Sequence, residues 1–163
     1  EVPLYIRAQH MRHRTWSYNE ISRRYTEVDL KFYEPKTFRT QHKSNRQASI
    51  LLSEHDPVVA PRFLDTYGRA SDVMVEFHKY SLDFFNTLID KGVCREQARG
   101  VLPQHLYTRY YGSVNLNNLL KFIDLRTHEG AQWEIQQLAN ACLDIAEELW
   151  PYTVGAYREL RGA

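Results

Sequence analysis

The chain has 163 residues, enough to bury a core, and a single domain over residues 1–163 is expected. Hydrophobic residues make up 43% and charged residues 25%, the balance of a soluble globular protein. A net charge of +1 excludes an overall field that would draw in a polyanion, and no apolar run approaches the ~20 residues of a membrane span.

The elements follow in order. Residues 3–14, PLYIRAQHMRHR, put Pro3 at a plausible first helical position, with Leu4, Ala8 and Met11 at helical spacing. Arg12 and Arg14 would point about 200° apart on one continuous helix, so they converge on a ligand only if the helix ends near there. Ser17 and Asn19 indicate that it does. Residues 25–33, YTEVDLKFY, alternate and read as a strand, and residues 35–62, with Pro35, Pro57 and Pro61, read as a long surface loop. A long helix is expected from about Thr66 to Lys91, with Tyr67, Ala70, Val73, Phe77, Phe84 and Leu88 on one face and Gly92 ending it. Cys94 to Leu102 reads as a short helix stopped by Pro103, and residues 106–114 as a strand. Asn115 caps a helix to about Arg126. A last helix covers Ala131 to Leu149, with Ile135, Leu138, Cys142, Ile145 and Leu149 inward and Pro151 beyond it. The class is α+β: a helix-rich single domain with a small antiparallel sheet. Cys94 and Cys142 form no CxxC pair and are expected as reduced, buried thiols, in keeping with a cytoplasmic protein.

Charge is uneven. Residues 7–46 carry ten Lys and Arg against four acids, which suits a localised anion site more than a nucleic-acid-coating surface. Its centre is RHRTWSYNEISRRY, residues 12–25. One reading is structural: Ser17-Tyr18-Asn19-Glu20 fits a capping box, and the arginines form a solvated face. The other is functional. Arginines fork onto phosphate oxygens, serine hydroxyls complete the cradle, Trp16 and Tyr18 can cover a planar ring, and Glu20 can accept from ribose or hold an arginine. That set suits a nucleotide or dinucleotide better than a metal. Arg126 lies on the edge of the stripe Leu116, Leu119, Leu120 and Ile123. It needs a carboxylate, a phosphate or a polar ring beside it, unless it serves its own helix's last carbonyls.

Arg12-His13-Arg14, then seven residues, then Ser22 gives R-H-R-x7-S, which resembles the signature of the flavin-dependent (alternative) thymidylate synthases. SYNEISRRY, ARGVLP, LYTRYYGSVN and FIDLRTHEGAQWEIQ are similar to further blocks of that family, in the same order, over about residues 3–146. The resemblance implies the thymidylate synthase-complementing fold and reductive methylation of dUMP to dTMP. 5,10-Methylenetetrahydrofolate would be the carbon donor, FAD the cofactor and NADPH its reductant, in a homotetramer with shared active sites. It implies FAD contacts at Arg12, His13, Arg14, Glu20 and Asn115. It implies dUMP contacts at Gln9, Arg12, Glu20, Ser22, Arg24, Arg99 and Arg126, with Arg126 also the catalytic group that polarises the uracil.

Some features depart from the family pattern. The chain opens at Glu1 without a Met and is expected to lack about 60 N-terminal residues of the family, among them flavin-binding ones. Gly130 and Lys121 stand where some members carry a histidine and a flavin-contacting asparagine. Two alternatives therefore stand beside the enzyme: a nucleotide-binding scaffold of the same fold without turnover, and an RNA- or single-strand-binding module using the basic, aromatic segment.

Overall fold

The computed structural model describes residues 1–22, 30–46, 48–51, 55–62, 65 and 67–162, with side chains through residue 160. In chain order the elements are β1 (Val2–Pro3), α1 (Leu4–His10), β2 (Ser17–Glu20), β3 (Thr40–Gln41), β4 (Ser49–Ile50), β5 (Val58–Val59) and β6 (Gly68–Arg69). Then come α2 (Ala70–Asp90), α3 (Arg95–Ala98) with a 3-10 turn at Arg99–Val101, β7 (Tyr107–Thr108), β8 (Tyr110–Ser113), α4 (Leu116–Thr127), α5 (Trp133–Leu149) and α6 (Pro151–Gly162). The fold is helix-rich with small antiparallel ladders: β1 on β7, β2 on β8, β3 on β4 and β5 on β6. Among the described residues no helix is long and apolar enough to cross a membrane.

Two apolar cores organise the chain. The first gathers Ile6 of α1, Leu120, Phe122 and Ile123 of α4, Ile135, Ala139 and Ala146 of α5, and Val154 of α6. The second gathers Phe85 of α2 with Ala98, Leu102 and Leu106. Helix α1 touches both, since Ile6 belongs to the first and Leu4 packs against the second. Residues 105–108 are gripped from two sides. Leu4 N donates to Leu106 O at 3.0 Å, Tyr107 N donates to Lys31 O at 2.8 Å, and Tyr33 N donates to His105 O at 2.9 Å.

Several expectations hold. Helix α1 ends at His10, before the arginines. Asn115 caps α4, its Oδ1 accepting from Asn118 N at 2.9 Å. Gly92, with φ +84°, stops α2 in the left-handed region that a glycine enters freely.

Others are corrected. Pro3 is the N-cap of α1 and not its first helical residue. Ser17–Glu20 is a strand and not a capping box; its side chains alternate exposed and half-buried, and its register pairs Glu20 with Tyr110 and Ser17 with Ser113. Helix α2 begins at Ala70, and Tyr67 and Phe84 are exposed; the buried face runs through Val73, His78, Ser81 and Phe85. On α5 Ile135 is buried as expected and Leu138 and Cys142 pack against the first core, but the other buried residues are Ala139 and Ala146, and Ile145 and Leu149 face out. Pro151 does not close the chain's helical part: it starts α6, where its missing N–H costs nothing. The loop 35–62 contains β3, β4 and β5. Cys94 is exposed and Cys142 half-buried, both free. The expected strand 25–33 falls mostly outside the described residues, and Phe32 bridges to Leu106 at its end.

Candidate functional site

The turn after α1 carries the basic motif. Arg12 N donates to Gln9 O at 3.2 Å and His13 N to His10 O at 3.0 Å, so the chain tightens and leaves the helix there. The turn rests on aromatic packing. His10 is 3% exposed and lies edge-on to Trp16, with ring centroids 4.4 Å apart, and 4.6 Å from Phe122. Tyr18 Oη donates to His10 O at 2.7 Å. Trp16 and Tyr18 stack on each other at 6.1 Å and 6°, so they serve this packing. Gly112 makes room for it: a Cβ there would stand 3.0 Å from Trp16 Cε3.

Arg126 reaches this turn from α4. Its Nε donates to His13 Nε2 at 3.0 Å, across 113 residues of sequence. Of the partners an arginine at that position needs, the polar ring is the one present. Burial, then the Arg126 guanidinium, pulls the His13 pKa below its ordinary value, so His13 is a neutral acceptor. Its other nitrogen, Nδ1, then carries the proton. Among the described residues the two terminal amines of Arg126 have no acceptor. Burial also lowers the pKa of Arg126, though an arginine stays cationic. The same burial, aided by His13 and Arg126, pushes His10 down to about 4; its Nδ1 lies 2.7 Å from Tyr110 Oη.

Two further predicted residues belong to this region, Glu20 beside α1 and Gln9 on it. Glu20 accepts from Thr108 Oγ1 at 2.7 Å and stands 3.1 Å from Arg7 Nε. The Arg7 proton is poorly aligned, so that contact is ionic and not a hydrogen bond. Gln9 Nε2 donates to Gln132 Oε1, and Gln132 Nε2 donates to Glu134 Oε2 at 2.9 Å. Gln132 and Glu134 lie in the quoted AQWE stretch, and no role follows for them from spacing alone. Arg7 and Thr108 likewise carry no motif signal beyond the basic run and a strand position.

The remaining residues are spread more widely. Arg12 and Arg14 are exposed, and neither guanidinium has a partner among the described residues. Ser22 is half-buried and engaged. Asn115 is exposed, its carbonyl spent on the cap of α4. Arg99 belongs to the second core's surface, where its Nε donates back to Glu96 O at 3.3 Å. Arg24 lies outside the described residues. The structure thus joins residues 9, 13, 20 and 126 to the α1 turn region, and no contact brings Arg99 there.

A cleft of about 870 Å3 opens beside this region, lined by Tyr5, Tyr33, Arg39, His105, Gln132, Trp133 and Glu134 among others. None of residues 9, 12, 13, 14, 20, 22, 99, 115 or 126 lines it, so the large cavity and the arginine cluster are neighbours that share Gln132. Among the described residues no three His, Cys, Asp or Glu side chains could hold a metal ion.

The donor set fits an anion of nucleotide type. Two exposed guanidiniums with no partner among the described residues flank His13, and the same residues leave the terminal amines of a third open at the end of α4. The chain is similar to known proteins. A flavin-dependent thymidylate synthase of Thermus thermophilus is 41% identical over 165 residues, covering 100% of this chain and 57% of the relative. One from Aquifex aeolicus is 41% identical over 142 residues, covering 86% and 42%. The crystal structure of a UMP/dUMP methylase, PolB, from Streptomyces cacaoi bound with 5-Br UMP superposes with TM-score 0.80 at 28% identity, over 97% of this chain and 70% of that one. The chain therefore spans little more than half the length of the Thermus relative. Residues 1–152 match the family described as thymidylate synthase complementing protein, and to that family this chain belongs.

Proposed function

We propose that residues 1–163 form the catalytic core of a flavin-dependent thymidylate synthase. It would reductively methylate dUMP to dTMP, with 5,10-methylenetetrahydrofolate as carbon donor and FAD, renewed by NADPH, as reductant. The observation that carries this reading is the bond from Arg126 to His13, which ties the R-H-R signature to the FIDLRTHEGAQWEIQ stretch. With Nε anchored on a neutral ring, the Arg126 guanidinium is held in place and its two terminal amines are free to fork onto the uracil edge. A fixed cation where negative charge develops stabilises the transition state without reorganisation.

Gln9, Arg12, Glu20, Ser22 and Arg24 would take the nucleotide, with Ser22 and Arg24 at its phosphate. Arg12 and Arg14 would hold the flavin diphosphate, with His13, Glu20 and Asn115 beside it. The flavin supplies the hydride. Arg99 is committed to the second core's surface, so its role at dUMP requires another copy of the chain to bring it in. That supports the homotetramer with shared sites that the family resemblance implies. A cytoplasmic setting, where these cofactors circulate, completes the reading.

One observation favours a second reading, a nucleotide-binding scaffold without turnover: the Asn115 side-chain oxygen, expected at the flavin, is already used on the cap of α4. An absorption spectrum of the purified protein, before and after dUMP, separates the two. A bound flavin band that shifts with dUMP supports the enzyme. A colourless protein that binds dUMP supports the scaffold. Salt-steep polynucleotide binding that dUMP does not compete away refutes both.

A further inference from the structure

The amide of Gln9 presents a question that a glutamine alone cannot answer. Its oxygen accepts and its nitrogen donates, and the two ends have nearly the same shape. Which end meets a ligand must be set by whatever holds the other end. Here the holder is a chain of two groups. Glu134 stands in the first turn of α5, where the helix dipole favours negative charge. An ionised carboxylate can only accept. The Tyr5 hydroxyl, kept protonated by burial and then by the nearby charge of Glu134, lines the same cleft as that carboxylate. Gln132 must therefore turn its nitrogen towards Glu134, which it does at 2.9 Å. That leaves Gln132 Oε1 facing α1, and Gln9 answers with its own nitrogen. Among the described residues Gln9 Oε1 then has no donor.

We infer that Gln132 and Glu134 are positioning residues. They fix the polarity of Gln9 so that it meets the bound nucleotide with its carbonyl, accepting from a nucleotide donor group. Two groups of dUMP have that chemistry, the ring N3–H and the sugar 3′-hydroxyl. The inference rests on the proposed placement of Gln9 at dUMP and goes beyond it in naming what Gln9 does there and what orients it. A neutral amide at position 134 can accept or donate, so the relay would no longer dictate one orientation.

The test measures dissociation constants by calorimetry on the full chain, for dUMP, for dCMP, which lacks the N3–H, and for 2′,3′-dideoxy-UMP, which lacks the 3′-hydroxyl. Glu134→Gln is expected to weaken dUMP about twofold, since an amide free to turn either way presents its carbonyl about half the time. It should leave unchanged the affinity of whichever analogue lacks the partner group, and that analogue identifies the donor. Gln132→Met, which cuts the link but keeps the carboxylate, must give the same ligand pattern even if Glu134→Gln folds poorly. A purely structural effect would weaken all three ligands alike. Equal weakening, or none, while Gln9→Ala still impairs dUMP, overturns the relay and leaves the proposed function standing. Unchanged dUMP affinity in Gln9→Ala, or no dUMP binding by the unaltered chain, overturns the placement of Gln9 and the relay with it.

Discussion

Each half of the molecule buries a histidine, and the two differ in what surrounds them. His78 of α2 is 2% exposed and stacks on Phe32 at 4.7 Å. Its Nε2 lies 3.2 Å from His105 Nδ1, and the Glu34 carboxylate stands 3.8 Å from its other nitrogen, too far for a hydrogen bond. Nearby polar groups close on the same half: Ser81 Oγ donates to Val101 O at 2.6 Å, Lys79 pairs with Glu76, and Arg99 turns back on Glu96 O. Around His10 the bonds instead join distant parts of the sequence and leave cations over. Arg126 is anchored with both terminal amines open, and Arg12 and Arg14 are unspent among the described residues. Buried polarity alone therefore does not mark a ligand site, since both halves have it. Surplus directed donors beside non-local bonds are what set the His10 side apart.

The comparison breaks first at the two cores. Phe122 is 1% exposed and its ring meets His10, His13 and Trp16; Phe85 is 2% exposed among Ala98, Leu102 and Leu106. Either change to Ala should cost ~3–5 kcal/mol in denaturant unfolding. Phe122→Ala should also abolish dUMP binding, because His13 loses its support. Phe85→Ala should weaken dUMP far less in the folded fraction, and only through Arg99, which that core carries. Equal loss of binding in both variants would erase the distinction between the halves.

A sharper cut removes the guanidinium itself. Arg126→Ala should lower dTMP formation by roughly 10²–10³, the scale of losing one preorganised electrostatic group. The unfolding midpoint should move little, since Arg126 is only half-buried and His13 can face water. Near-normal turnover would remove Arg126 from the chemistry.

Acid tests both histidines. The pKa of His10 is held at about 4, below its ordinary value, by burial and then by His13 and Arg126; burial and then His105 also lower that of His78. The unfolded chain takes up protons first as pH falls. Stability is thus whole above the ordinary histidine pKa and drains away as pH falls from there towards the folded value. For His10 the loss is on the order of 3 kcal/mol between about pH 6.5 and 4. Thermal unfolding followed across that range should show the slope. His10→Phe and His78→Phe should each flatten part of it, and a slope unchanged by both would assign the acid sensitivity elsewhere.

Much of this was legible in the sequence, and the failures share a cause. Helix α4 was readable because Asn115 and its leucines obey local rules, and α1 because its end could be argued from two arginines. The α2 face was misread by one position: Ser81 lies on the buried side, and a pattern built on apolar residues steps over it to Phe84. The α5 face holds at Ile135, Leu138 and Cys142 and fails at its C-terminal end, because close packing against α4 and α6 selects Ala139 and Ala146, while Ile145 and Leu149 look more hydrophobic and face out. Strand β2 carries its period of two over four residues, too short to outweigh a capping pattern until its partner at Tyr110–Ser113 is known. The links from His13 to Arg126 and from Gln9 to Gln132 span 113 and 123 residues, and no spacing rule reaches so far. The resemblance to a family supplied the residues, and the fold supplied which of them touch.

The smallest expected effect decides what Asn115 is for. It caps α4 through its carbonyl oxygen, and the family resemblance also gives it a flavin contact, which its amide nitrogen can make without disturbing the cap. Asn115→Ala should cost about 1 kcal/mol of stability from the lost cap. Asn115→Ser keeps an oxygen for Asn118 N and discards the amide, so its unfolding midpoint should stay within a few tenths of a kcal/mol of the parent. If the side chain does both jobs, the serine variant loses flavin affinity at unchanged stability, read from flavin fluorescence on titration. If flavin affinity falls only in the alanine variant, and only as far as its stability falls, Asn115 is a cap and nothing more. The flavin would then be held by Arg12, His13 and Arg14 without it.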